Sequence, residues 1–400
     1  MSATATIVPG HRDRDRLVTA CNEADAQLHA VSCSFDFLLC VTPTNIVEAM
    51  EAFLAADGRE APRFVYRDLP IDPAATQRDL QAIDFAHLHE PLVEGLLLEK
   101  RRELHLQLDL LCARGTREFR TLGETLYGGV SDALLEQARA ILARVPSREE
   151  KSPVVDAIEI ASRARALVDH YRALDPAFAP TIEIRDDVAG LMVNYPTLRI
   201  AASSRVAERR VDPLLAHEIS VHLLTGHNGA HQGLSLFSTG LAGYEEIQEG
   251  LGVFAEWAVG GLTVPRLRLL AGRVVAVDAM LGGADFGETY RLLHAEYGLG
   301  RRRAFQIAAR VHRGGGLAKD AIYLRGFERV MEWVADGGSL DPYWRAKIAP
   351  VHVPVLDRLA DQGLVGPARL TPEFLDRKDT AARIARFRAD PTRALDPQPE

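Results

Sequence analysis

The chain has 400 residues, 47% of them hydrophobic and 26% charged, and a net charge of −8. That is the make-up of a globular protein with one large domain or two intimate ones. The acidic balance argues against a nucleic-acid binder, whose phosphate contacts need a basic surface, and no unbroken apolar run of about 18 residues marks a membrane span.

Residues 1–27 read as a mobile polar lead-in without the apolar stretch of a secretory signal. Residues 28–150 read as an N-terminal α/β region. Phe35–Val41 and Arg63–Arg67 carry β-type residues. Helices are expected over Ile46–Ala56, Ala74–Ile83, Pro91–Arg114 and Ser131–Arg144. The longest has an apolar stripe of Val93, Leu96, Leu97, Leu104, Leu108 and Leu111. Cys21, Cys33, Cys40 and Cys112 all fall in this third without C-x-x-C spacing, the pattern of reduced thiols in a cytoplasmic protein. The polar stretch Pro146–Pro153, bounded by prolines, reads as a linker.

Residues 151–370 form the expected catalytic region. A helix over Val154–Leu174 precedes strands at Thr181–Arg185 and Leu198–Ala202, with a turn around Asp186, Asp187 and Gly190. The next helix, Val211–Thr225, is expected to break at Gly226, His227, Asn228 and Gly229. Helices follow over Tyr244–Val259, Pro265–Met280, Asp285–Tyr297, Gly300–Arg313 and Lys319–Val334, the last two joined by a flexible Gly314-Gly315-Gly316 break. A short helix, Leu356–Gln362, comes next, and residues 371–400 read as a C-terminal helix and disordered tail. The fold class is α+β, mainly helical, with a small mixed sheet.

Chemistry concentrates at His217-Glu218-Ile219-Ser220-Val221-His222. Neutral imidazoles are good zinc ligands, and a carboxylate beside the metal can take a proton from water. The familiar helical motif is H-E-x-x-H, with its histidines four apart; here they are five apart, an HExxxH spacing. Five α-helical steps leave the rings about 140° apart, so convergence demands a π-bulge between Glu218 and His222. A catalytic zinc usually has a third protein ligand. Glu249 is the best candidate, on a helix where Gly250 would let the two helix backbones approach; Glu245, Glu246 and Glu256 are rivals.

Taken together, Arg185–Val193, His217–Asn228, Leu241–Tyr244, Gln248-Glu249-Gly250-Leu251 and Arg310–Gly326 resemble the flavohaemoglobin expression-modulating QEGLA-motif proteins, which are similar to eukaryotic tubulin-tyrosine metallocarboxypeptidases. The resemblance runs from about Ser34 to Leu370. It implies a zincin-like metallopeptidase half, Zn2+ held by His217, His222 and Glu249, and Glu218 as general base. Two departures stand out. Ser220 and Val221 replace the family's usual glycine and threonine, and Gly252 replaces the last alanine of QEGLA; neither is expected to touch a ligand.

The expected function is therefore a zinc peptidase, carboxypeptidase in type, acting on a peptide or protein C-terminus. Candidates for stabilising the oxyanion are Tyr244, His231, His312 and Tyr323, and those for binding the terminal carboxylate are Arg313, Lys319 and Arg325. The strand Leu198–Ala202 would receive an extended substrate by β-addition. The alternatives are a non-catalytic zinc-binding regulator and a metal-dependent amide hydrolase of a small metabolite.

Overall fold

The structure is a computed structural model that describes residues 23–393, apart from 86, 87, 89, 146–152 and 189. Most of the expected lead-in and linker, and the last residues of the tail, lie outside the described residues. Among the described residues the chain is mainly helical with two small sheets.

The expected N-terminal α/β region holds helices and no strand among its described residues. Phe37–Val41 is a short helix, because Asp36 caps it by accepting from the Leu39 N–H at 3.0 Å. Its apolar residues Phe37, Cys40 and Val41 then fall on one buried face, so spacing overrides β-propensity. Arg63–Arg67 is extended but joins no ladder. Its backbone is satisfied by the preceding loop, the Val65 N–H donating to Asn45 Oδ1 and the Val65 carbonyl accepting from the Thr44 N–H, both at 2.8 Å. Helices Ile46–Ala55, Pro73–Ala82, Pro91–Cys112, Glu118–Tyr127 and Asp132–Arg144 make up the rest. Glu23–Ala55 is apolar enough to cross a membrane by length and composition. Its helices are interrupted at residues 34–36 and 42–45, however, and it buries Leu28, Val41 and Phe53 in the core.

Strand β1 (Val154–Asp156) pairs antiparallel with β5 (Arg205–Ala207). The expected helix from Val154 therefore starts at Ala157, where Asp156 caps it by accepting from the N–H groups of Ile158 and Glu159. The second sheet has the order β2 (Thr181–Arg185), β4 (Thr197–Ala201), β3 (Leu191–Asn194). β4 is parallel to β2 and antiparallel to β3. The expected turn around Asp186, Asp187 and Gly190 precedes β3, a strand that the sequence did not reveal. The sequence also suggested that an extended substrate would pair with Leu198–Ala202, which is the central strand β4. Both ladder sides of β4 are occupied, so β-addition must use an outer edge, and β3 is the edge strand that packs on the motif helix.

Two apolar clusters share that helix as a common wall. Ala216 and Val221 belong to the large one, which runs from Ala24 to Phe387. Leu215, Ile219 and Leu223 belong to the smaller one beneath the sheet, with Tyr171, Phe178, Leu198 and Ile200. Apolar burial on both sides fixes the helix axially and rotationally.

Candidate metal centre

The motif helix is α-helical over Val211–Leu215, π-helical over Ala216–Leu223 and α-helical again over Leu224–Ala230. The wider π-turns bring the rings of His217 and His222 to the same side, with centroids 4.9 Å apart. The helix does not break at Gly226. Its glycines admit neighbours instead: a Cβ at Gly229 would lie 2.1 Å from the Phe237 carbonyl oxygen, and one at Gly226 would lie 2.7 Å from the Tyr195 ring. Asn228 is fully buried and pins distant chain to this helix. Its Nδ2 donates to the carbonyls of Trp344 and Leu370, and its Oδ1 accepts from the N–H groups of Arg369 and Leu370.

Glu249 comes from the facing helix, Glu245–Ala258. Its Oε2 lies 3.5 Å from His217 Nε2 and 3.7 Å from His222 Nε2. One ligand atom from each of the three residues falls within 4.8 Å of the others. The remaining atom of each ligand is held from behind. His217 Nδ1 bonds Glu256 Oε1 at 2.9 Å, His222 Nδ1 faces Gln248 Oε1 at 3.4 Å, and Glu249 Oε1 accepts from Lys319 Nζ at 3.1 Å. Gln248 Oε1 also accepts from Thr225 Oγ1 at 2.9 Å. Outer partners of this kind fix which nitrogen faces a metal, and here they leave both Nε2 atoms and Glu249 Oε2 to converge. The donor set suits a divalent cation such as zinc.

The rival carboxylates are occupied elsewhere. Glu245 pairs with Lys319, Glu246 with Arg325 and Arg329, and Glu256 with Arg210 and Arg266 as well as His217. Two glycine assignments change. Gly250 does not face the motif helix; it meets Gly326 of helix Ile322–Ala335, where its Cβ would lie 2.3 Å from backbone atoms. Gly252 does touch a ligand, since a Cβ there would lie 2.4 Å from the His217 ring.

Electrostatically the centre favours positive charge. Burial disfavours a charged His217, but Glu249 and Glu256 outweigh it and hold the imidazole at about 10. Burial works against an ionised Glu249 too, yet Lys319 and the two histidines keep its pKa well below the usual range. Glu218 is only 8% exposed, and burial raises its pKa. Among the described residues its carboxylate makes no side-chain hydrogen bond or ion pair.

The expected substrate residues scatter. Lys319 is spent on Glu245 and Glu249, which makes it a support for the third ligand rather than a free cation. Arg313 is buried and donates to Thr42 Oγ1, while Arg325 pairs with Glu246 and donates to the carbonyls of Gly129 and Tyr127. His231 bonds the His227 carbonyl, and His227 belongs to a structural pair with Asp175. His312 is bonded to Thr289, and burial lowers its pKa to about 4. Tyr244 and Tyr323 remain near the centre, each within electrostatic reach of Glu249. The Gly314–Gly316 break is packed rather than loose. All three residues have positive φ, the Gly314 N–H donates to Tyr66 Oη at 2.9 Å, and a Cβ at Gly315 would meet the Thr116 carbonyl at 2.4 Å. Sequence reasoning missed the supporting roles of Gln248 and Glu256. The signal for Glu256 was its position seven residues after Glu249, on the same helix face.

A family model described as microtubule-associated tyrosine carboxypeptidase matches residues 51–390. No curated protein matches the chain. The match covers most of the chain, which therefore belongs to the microtubule-associated tyrosine carboxypeptidase family.

Proposed function

From that membership and the geometry above, we propose that the protein is a zinc-dependent carboxypeptidase that removes a residue from a peptide or protein C-terminus. The observation that carries the reading is Glu218, a buried carboxylate without an ion-pair partner among the described residues, next to a three-ligand set. A purely structural metal site needs no such group. His217, His222 and Glu249 would hold the ion, which when bound supplies Lewis-acid polarisation and makes water more acidic. Glu218 takes the proton of the attacking water and delivers it to the leaving amine. Burial raises its pKa, which makes it the stronger base for taking that proton. Burial raises the pKa of Tyr244 and Tyr323 and keeps both phenols protonated, so either can donate to a developing oxyanion. Cys33, Cys40 and Cys112 are free thiols, in keeping with action in the reducing cytoplasm.

The test is metal analysis of the purified protein followed by peptide turnover. Glu218→Gln should retain zinc and lose about 10²–10⁴-fold in kcat/KM. Full activity in that variant would remove Glu218 from the mechanism. Zinc binding with no turnover of any peptide by the parent would favour the regulatory reading.

A further inference from the structure

Tyr323 stands among cations. Its ring centroid is 4.7 Å from Arg273 Cζ and 6.0 Å from Lys319 Nζ, with Arg266, Arg310 and Arg313 also within electrostatic reach. The nearby carboxylates are already committed. Glu256 takes Arg266 and Arg210. Asp320 takes Arg310 in a two-pronged bond at 2.6 and 2.7 Å. Glu245 and Glu249 take Lys319. Arg273 is left with Asp320 Oδ2 at 3.6 Å, and its Nε is buried without a hydrogen bond. Among the described residues none of its nitrogens has a hydrogen-bond acceptor, although its side chain is only 11% exposed. Burial and the Arg310 charge lower its pKa to about 10.

A guanidinium in this position is costly until an anion meets it. The position is also specific. Lys319, which bonds Glu249, and Arg273 both lie by the Tyr323 ring, and Glu249 acts electrostatically on Tyr323, so the surplus charge stands one side chain away from the third ligand. A carboxypeptidase that releases one residue needs its carboxylate anchor within one residue of the reacting carbonyl. The planar fork of an arginine matches a carboxylate with two parallel hydrogen bonds.

We propose that Arg273, flanked by Arg310 and Tyr323, binds the free carboxylate at the substrate's C-terminus. This assignment rests on the peptidase reading above and gives that site its end-specificity.

The test measures binding rather than turnover, in full-length, zinc-loaded Glu218→Gln protein. Its probes are matched peptides ending in a free carboxylate or in a carboxamide, each with Glu or Gln at the penultimate position. The acid should bind at least about tenfold tighter than the amide, the scale of a charge-assisted hydrogen bond. Adding Arg273→Met should bring acid affinity down to that of the amide while leaving amide affinity unchanged, which also shows that the variant is folded. Arg273→Lys, which keeps the charge but not the fork, should retain part of the preference.

Three results overturn the assignment. One is that acid and amide bind equally, or not at all, with Arg273 present. Another is that Arg273→Met changes only the preference for penultimate Glu over Gln, which would mark a side-chain subsite. The third is that the acid preference survives Arg273→Met and disappears in Lys347→Met, at a buried cation that lacks a carboxylate partner among the described residues. Discrimination that depends on Arg273 in a protein whose parent cleaves no peptide would uphold the subsite and defeat the peptidase reading.

Discussion

Glu256 Oε1 stands 2.9 Å behind His217 Nδ1, and Glu256 is wholly buried. One carboxylate thus orients a candidate metal ligand and neutralises two arginines, Arg210 and Arg266. Glu256→Gln keeps an acceptor but removes the charge. Zinc affinity should fall about 10–100-fold, and unfolding free energy by about 3–5 kcal/mol, because two half-buried guanidinium groups lose a fully buried anion. Chelator competition and urea titration measure the two effects. Parent-like zinc affinity in a folded Glu256→Gln protein would show that His217 needs no such support.

The contact between Gly250 and Gly326 sets the depth at which the Glu249 helix meets helix Ile322–Ala335. A Cβ at Gly326 would lie 2.0 Å from the Glu246 carbonyl oxygen, and one at Gly250 would lie 2.3 Å from the Gly326 backbone. Alanine at either position gains about 1 kcal/mol of helix propensity. Overpacking of about 1–3 kcal/mol or more should outweigh that gain, so both Gly250→Ala and Gly326→Ala should be destabilising. Because both act on one crossing, the double variant should cost less than the sum of the singles. Stabilisation by either change would mean that the helices can slide apart freely.

Glu328 offers a pH signature. Burial and the nearby Glu332 raise its pKa to about 7, against an ordinary value near 4.3. The folded state therefore binds the extra proton between these values. Stability tied to this group is fully present below about pH 4 and is lost as pH rises through 7. Glu328→Gln should leave the melting temperature unchanged near pH 4 and raise it by several degrees at pH 8. An equal shift at both pH values would assign the effect to packing instead of ionisation.

Much of the metal centre was legible because its elements are local. The five-residue histidine spacing demanded a π-segment, and the carboxylate at Glu249 stood apart from its rivals by its neighbours in sequence. The partners behind the ligands were not legible. Lys319 is 70 residues from Glu249, and Arg266 reaches His217 only through Glu256. Which cations remain unpaired depends on how the helices cross. The errors elsewhere also have physical causes. Phe35–Val41 has β-type residues, but the Asp36 cap and one-sided burial make it helical. Gly226 and Gly229 look like helix breakers, yet they serve the close approach of Tyr195 and Phe237.

The π-segment Ala216–Leu223 also governs everything downstream of it. Adding a residue without adding a turn changes the phase of the helix that follows by about 100°. Thr225, which bonds Gln248, and Asn228, which holds residues 344 and 369–370, are aimed correctly only in the shifted phase. Straightening the segment into regular α-helix without removing a residue would turn His222, Thr225 and Asn228 together by about 100°, away from Glu249, Gln248 and the carbonyls of Trp344 and Leu370. The π-segment thus sets a single phase that serves His222 and the fold contacts beyond it together.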